Sequence, residues 1–283
     1  LRTDVPNAKP IPADIDHVVD ISRGTTLEHN GSRIHTTEHV LAAISGLEID
    51  NILIELDNKE PPVMDGSAIP FVDILLDAGF EEQEAAREYL VLDKTITYSD
   101  PEKGVDIHAL PSNQFRVPFL IDYKLQSLGT QYMSFYSLEQ DFVEQIAPAR
   151  TFCFLHEVEE LKAQGLIKGG SADTALVMID RKIEESELSR LQKLFNIDEK
   201  LIQSENGILN GKELRSKTEP VRHKILDLIG DLALLGMPIQ GHITAARSGH
   251  ASNVELVRLL KKEYEKQILA KRFQRRPRER QIV

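Results

Sequence analysis

The chain has 283 residues, 41% of them hydrophobic, enough for a core in one large or two medium domains and too many for a disordered protein. Asp plus Glu number 45 against 34 Lys plus Arg, and the formal net charge of -11 argues against a nucleic-acid partner. The single cysteine excludes an intramolecular disulfide and a Cys-rich zinc site, and no run nears the roughly 18 apolar residues of a spanning helix, so a cytoplasmic protein without a transmembrane segment is expected.

The first residues, Leu1-Arg2-Thr3-Asp4, carry neither an initiator Met nor a signal-peptide pattern, and a fragment whose N-terminus is missing is expected. Ile11 to Ile21 is extended, and Thr25 to Ile34 is predicted as a hairpin turning at Asn30-Gly31. A helix is predicted from Thr37 to about Ser45, with Gly46 closing it, then a short strand from Ile52 to Leu56. Ser67 is placed to cap a second helix that buries Phe71, Ile74 and Leu75 and ends at Gly79. The acidic stretch from Glu81 to Glu88 is the best linker, dividing a first domain (1–87) from a second (88–270), with a basic tail at 271–283.

Beyond the linker, Tyr89 to Tyr98, Val105 to Leu110, Phe115 to Tyr123 and Gln131 to Phe135 are predicted strands. A helix from Leu138 to Ile146 leads through Ala149-Arg150-Thr151-Phe152 to a second helical run over Leu155, Val158 and Leu161. A glycine turn at Lys168-Gly169-Gly170-Ser171 and a strand from Ala175 to Ile179 follow, whereas 181–217 is polar and weakly periodic. A strand from Ile239 to Arg247, a turn at Ser248-Gly249-His250 and a helix through Leu260 and Ile268 complete an α+β chain with no residue-level repeat between its halves.

The segment before that last strand is the most informative. Thr218 can cap a helix, Pro220 suits its first turn and Gly236 can end it. Apolar residues from Val221 to Leu235 run almost all round this helix, so it is buried on most sides. Yet His223, Asp227 and Asp231 recur every four residues along one stripe. Buried ionisable groups without partners cost several kcal/mol, so the stripe faces a metal, a partner charge or a wet cleft. The i, i+4 pair His223/Asp227 makes a metal half-site, and a hydrogen-bonded relay in a polar groove is the structural alternative. Glu38-His39, opening an otherwise apolar helix, offers a third ligand and an adjacent base; a helix-favouring Glu beside a solvated His is the other reading. His250 sits on a turn after a strand, Lys224 is next to His223, and Cys153 reads as a small buried hydrophobe. The Lys168–Ser171 turn is too short for a phosphate loop, so nucleotide binding there is rejected.

Taken in order, Thr36-Thr37-Glu38-His39, Pro62-Val63-Met64-Asp65-Gly66-Ser67-Ala68, Ala149-Arg150-Thr151-Phe152, Gly169-Gly170-Ser171, Val221-Arg222-His223-Lys224 with Asp227 and Asp231, and Ser248-Gly249-His250 closely resemble the motifs of the UDP-3-O-acyl-N-acetylglucosamine deacetylases. These are zinc amidases of lipid A synthesis in Gram-negative bacteria. The resemblance implies His39, His223 and Asp227 as zinc ligands and Glu38 as general base. It implies His250 as general acid, Asp231 as the carboxylate that orients it, and Thr151 as a hydroxyl toward the oxyanion. Lys224, Phe152, Gly170 and Ser171 are implied in binding a UDP-linked acylated glucosamine, with an acyl-chain insert at about 152–180. Its fold is two α+β domains, each a sheet with two helices, the helices sandwiched between the sheets, and against it the first domain here lacks N-terminal strands. The basic tail reads as a solvated terminus or as a linker to a fused 3-hydroxyacyl-carrier-protein dehydratase. The rivals are a zinc amidase acting on another N-acyl sugar and a non-catalytic interaction module.

Overall fold

The structure of the chain, a computed structural model, describes residues 1–22, 24–125, 128–157, 174–180, 183–195 and 207–274. A three-stranded antiparallel sheet comes first, formed by β1 (Val18–Asp20), β2 (Thr26–His29) and β3 (Ser32–Ile34). Its hairpin turns at Asn30-Gly31 as expected, where φ values of 49° and 81° supply the twist that a two-residue loop needs. Then come α1 (Glu38–Gly46) and α2 (Ile69–Ala78). The segment Ile52–Leu56 joins no sheet; Leu56 instead bridges to Arg2, and the Leu1 ammonium donates to the Ile54 carbonyl at 2.7 Å. The expectations for α2 also need correcting. Ala68 stands at its N-cap, although the Ser67 hydroxyl does accept from the Ile69 N–H at 3.3 Å. Phe71 and Leu75 pack half-buried on the core as expected, Ala68 and Val72 are fully buried, and Ile74 is 57% exposed.

The main sheet has five strands in the order β5 (Ile96–Asp100), β6 (Val105–Leu110), β12 (His242–Ala246), β7 (Val117–Asp122) and β8 (Thr130–Phe135). The strand β12 runs antiparallel to β6 and parallel to β7. Two predicted strands are split, because the chain changes sheets inside each. Residues Leu90–Val91 (β4) pair in parallel with Ile239–Gln240 (β11), apart from the main sheet. The helix predicted at Leu138–Ile146 is one α turn, α3 (Leu138–Asp141), continued as a π turn over Phe142–Ile146. The strands β9 (Phe152–Phe154) and β10 (Leu176–Met178) pair in parallel. Within 181–217 the structure adds α4 (Glu185–Phe195), whose Leu188 and Leu191 pack with Leu155, Val177 and Ile183 in a small separate core. Leu188, Leu191 and Phe195 recur at helical spacing in the sequence, a periodic signal that the reading of 181–217 as weakly periodic passed over. The helical run beyond Glu157 and the glycine turn, with Gly170 and Ser171, lie outside the described residues.

The predicted buried helix is α5 (Glu219–Ala233), and the terminal one is α6 (His250–Gln274). Thr218 occupies the N-cap of α5, but its hydroxyl meets the Arg222 guanidinium at 3.0 Å instead of capping a backbone amide. Val221, Ile225, Leu226, Leu228 and Ile229 are buried, and α5 lies against α1, α6 and the strands β7 and β8. One core joins Ala42 of α1, Phe119 of β7, Leu226 of α5, Val257 of α6 and Leu27 of the hairpin. The crossing of α1 and α5 is tight because of Gly230, where a Cβ would lie 2.2 Å from the Glu38 carbonyl oxygen. That approach brings the first turn of α1 against the polar stripe of α5.

Candidate metal centre

The stripe on α5 begins one turn earlier than the sequence reading placed it. Glu219, His223, Asp227 and Asp231 follow one another at i, i+4, and all four are buried. Glu219 is fully buried and accepts from the Arg150 backbone N–H (3.0 Å), from Arg150 Nε (2.8 Å) and Nη2 (3.1 Å), and from the Arg215 N–H (2.6 Å). This network pins the segment before β9. There the Ala149 carbonyl accepts a hydrogen bond from His223 Nδ1 at 3.0 Å, which assigns the proton to Nδ1 and leaves the Nε2 lone pair for the site.

His39, His223 and Asp227 offer ligand atoms that all lie within 4.8 Å of one another, although α1 and α5 are far apart in sequence. Asp227 Oδ1 is 3.3 Å from His223 Nε2 and 3.9 Å from His39 Nε2, and the two imidazoles stand edge to face with centroids 5.0 Å apart. Burial lowers the affinity of His39 for a proton to a pKa of about 3, helped by the neighbouring His223, and burial likewise lowers His223. Burial alone would raise Asp227, but the Lys224 ammonium and then the imidazoles outweigh it and hold its carboxyl well below the usual range. The His223 Nε2 lone pair therefore faces an ionised oxygen, with the neutral His39 imidazole beside it. A divalent cation relieves that repulsion, and two His with one Asp is a donor set that fits zinc. The Lys224 ammonium donates to Asp227 Oδ2 at 2.8 Å, which uses one of its three N–H donors. Burial opposes its charge, and Asp227 reverses the balance and raises it.

Glu38 and His250 flank this group. Glu38 is buried, accepts from the Thr25 backbone N–H at 2.9 Å, and places Oε1 3.8 Å from His250 Nε2. Burial raises its pKa to about 7 against the opposing pull of His250, in the range useful to a base. His250, at the start of α6, bonds through Nδ1 to Asp231 Oδ2 at 2.9 Å. Burial works against its cation, but Asp231 prevails and raises His250 to about 10. Asp231 is fully buried and has further donors in Thr25 Oγ1 at 2.7 Å and Asn253 Nδ2 at 2.9 Å. Two carboxylates in different surroundings thus create one group ready to take a proton and one ready to give it.

Thr151 is held between Gly66, whose carbonyl accepts its N–H at 2.7 Å, and Leu176, whose N–H donates to its carbonyl at 2.8 Å. The Phe152 ring lies 6.4 Å from that of His223 and 5.8 Å from that of Tyr123. Cys153 is partly buried, and burial pushes its thiol up to about 12, as fits a small hydrophobe and not a nucleophile. Sequence reasoning missed Glu219, Thr25 and Asn253. Only Glu219 left a signal, as the first member of the four-residue period.

The family model described as "LpxC: UDP-3-O-acyl N-acetylglycosamine deacetylase" matches residues 1–195 and 182–262. A protein of Chlorobaculum tepidum named "Bifunctional enzyme LpxC/FabZ" is 50% identical over 97% of this chain and 59% of its own length. One of the same name from Porphyromonas gingivalis is 40% identical over 93% of the chain and 56% of its own length. A UDP-3-O-acyl-N-acetylglucosamine deacetylase of Myxococcus xanthus is 41% identical over 91% of the chain and 74% of its own length. The chain thus spans less than two thirds of each bifunctional relative. Matched along nearly its whole length, the chain belongs to the UDP-3-O-acyl N-acetylglycosamine deacetylase family.

Proposed function

We propose that this chain carries out zinc-dependent hydrolysis of the N-acetyl group of a UDP-3-O-(3-hydroxyacyl)-N-acetylglucosamine, releasing acetate for lipid A synthesis. The observation that carries this reading is the convergence of His39, His223 and Asp227 within 4.8 Å, with Glu38 and His250 facing each other beside them at 3.8 Å. His39, His223 and Asp227 would hold the zinc. Bound there, zinc would polarise the acetyl carbonyl and make the attacking water more acidic. Glu38 takes the proton from that water as the C–O bond forms. Thr151 offers its hydroxyl to the oxyanion, and Phe152, Lys224, Gly170 and Ser171 belong to the substrate's surroundings. His250, kept cationic by Asp231, gives its Nε2 proton to the departing nitrogen as the C–N bond breaks.

The division into a first domain (1–87), a second (88–270) with the acyl-chain insert at about 152–180, and a tail (271–283) is part of the same proposal, as is a cytoplasmic setting. Among the described residues no helix is long and apolar enough to cross a membrane. Acetate release from the UDP-linked acylated sugar, measured with stoichiometric zinc, tests the reading. Release from other N-acyl sugars but not this one would favour the broader amidase, and absence of tightly held metal would favour a non-catalytic module. A second reading adds to the first: the names of the two bifunctional relatives favour a 3-hydroxyacyl-carrier-protein dehydratase fused to this deacetylase. The mass of the native polypeptide decides it.

A further inference from the structure

The base Glu38 and the acid His250 sit on different helices, α1 and α6, and the Glu38 carboxylate and the Asp231 carboxylate that holds His250 must keep a fixed spacing for a proton to be taken on one side and given on the other. One residue outside both helices touches both carboxylates. Thr25, fully buried just before β2, donates its backbone N–H to Glu38 Oε2 at 2.9 Å and its hydroxyl to Asp231 Oδ1 at 2.7 Å. Its own carbonyl accepts from the N–H of Thr37 at 3.2 Å and from the Thr37 hydroxyl at 3.0 Å, so the turn is tied to the start of α1 as well. The preceding residue leaves room for this. Gly24 has φ of +146°, and a Cβ there would lie 2.6 Å from Glu38 Oε1.

We propose that Thr25 is a positioning residue that ties the Glu38 carboxylate to the Asp231–His250 pair, with Gly24 opening the space in which Glu38 lies. The argument is one of occupancy. Asp231 Oδ2 already takes His250 and Asn253, so the Thr25 hydroxyl is what fixes Oδ1 and with it the rotation of the carboxylate that aims the imidazole. Without that donor a buried carboxylate oxygen is left unpaired, and the carboxylate turns to recover a partner. The backbone bond to Glu38 then fixes the base relative to the same point. Thr25 touches no reacting atom in this account.

The inference rests on the proposed deacetylase reading, and the test separates the two. In Thr25→Val, which keeps size and backbone but removes the hydroxyl, kcat should fall about 10-fold, with KM and zinc content within about twofold of the unaltered protein. Thr25→Ser should restore kcat to within about threefold. In the His250→Ala background Thr25→Val should cost less than about twofold, because the group it aims is gone. Equal loss in both backgrounds, or a Ser variant as poor as the Val one, overturns the proposal. If Thr25→Val does not fold, Thr25→Ala takes its place in the same comparison. A protein that shows no deacetylation defeats the proposed function and not this tie, which thermal unfolding of the metal-free protein still decides. There the Tm losses of Thr25→Val and His250→Ala should be non-additive, and additive losses would sink it.

Discussion

Two buried charged clusters lie about two turns apart on α5, and they are built on opposite plans. Around Glu219 every charge is met directly: its carboxylate receives hydrogen bonds from Arg150 and Arg215, and Arg215 goes on to Asp65 at 2.6 Å. Around Asp227 the oxygen on the His side receives no proton, facing two imidazole nitrogens at 3.3 Å and 3.9 Å. The first cluster is closed, so its net effect is to fix the chain. The second is open: two imidazoles and one carboxylate present their ligand atoms to a common point, where a divalent cation would satisfy them. The closed cluster makes the open one possible, because it holds the Ala149 carbonyl that selects the His223 tautomer.

The largest effects should fall on the open cluster. We predict that His223→Ala loses both zinc and turnover, whereas Glu38→Ala retains zinc and loses about 10²–10⁴-fold in rate, since a base that is not a ligand affects only proton transfer. Metal analysis after dialysis, alongside the deacetylation rate, separates them. Equal metal loss in the two variants would remove Glu38 from the role of base.

The closed cluster should answer in stability. Glu219→Ala leaves Arg150 buried without its partner, and breaking such a pair costs about 3–5 kcal/mol. Burial pushes Glu219 upward, but Arg150 and the two backbone amides outweigh it, so its folded pKa lies below the unfolded value. Its contribution is then fully present above the unfolded value of about 4.3 and is lost as pH falls through the folded one. Chemical denaturation from pH 7 to pH 3 should show a loss of stability in the unaltered protein that is shallower in Glu219→Gln. Parallel curves would show that the network is not what acid disrupts.

Much of this contrast was legible in the sequence, and the limits were physical. The stripe His223, Asp227, Asp231 declared itself because charged residues are rare on an otherwise apolar helix, and the resemblance added His39, Glu38 and His250 from distant segments. Glu219 escaped because an acidic residue in a first helical turn has an ordinary local explanation in the helix dipole. Thr25 and Asn253 left no pattern, since single hydrogen bonds to Asp231 from residues 206 and 22 positions away have no period. Strand splits at Val91 and at Gly241 were hidden for a related reason. Both halves of each segment favour β structure, and only tertiary pairing decides which sheet each half joins.

The spacing of α1 and α5 sets how the open cluster meets its partners, and Gly230 tests it. A methyl group at Gly230 would meet the Glu38 carbonyl at 2.2 Å, and backbone on both sides leaves little to yield. Overpacking of this kind costs about 1–3 kcal/mol. We predict for Gly230→Ala a modest fall in Tm but a clear weakening of zinc affinity, because α1 carries His39. An unchanged affinity would show that α1 can retreat without moving its ligand.

The smallest expected change is also the most diagnostic, because it alters a charge and almost no shape. Asp231 bonds His250 from a fully buried position, and its charge overcomes burial to raise the imidazole to about 10, with Asp227 and Glu38 adding to the effect. If Glu38 must be deprotonated to take the proton and His250 protonated to release the amine, the rate should rise through about pH 7 and fall as pH rises past about 10. Asp231→Asn removes the largest source of the shift. Burial then acts with less opposition, and the imidazole moves down toward its ordinary value of about 6.5, checked by the residual pull of Asp227 and Glu38. The alkaline limb of kcat should therefore move to lower pH in Asp231→Asn, and the acid limb should move less, because Asp231 is only a minor contributor to the raised Glu38. An alkaline limb that does not move would mean that the proton reaches the leaving nitrogen from elsewhere. The pair at Asp231 would then belong with the closed cluster around Glu219, holding the chain and moving no proton.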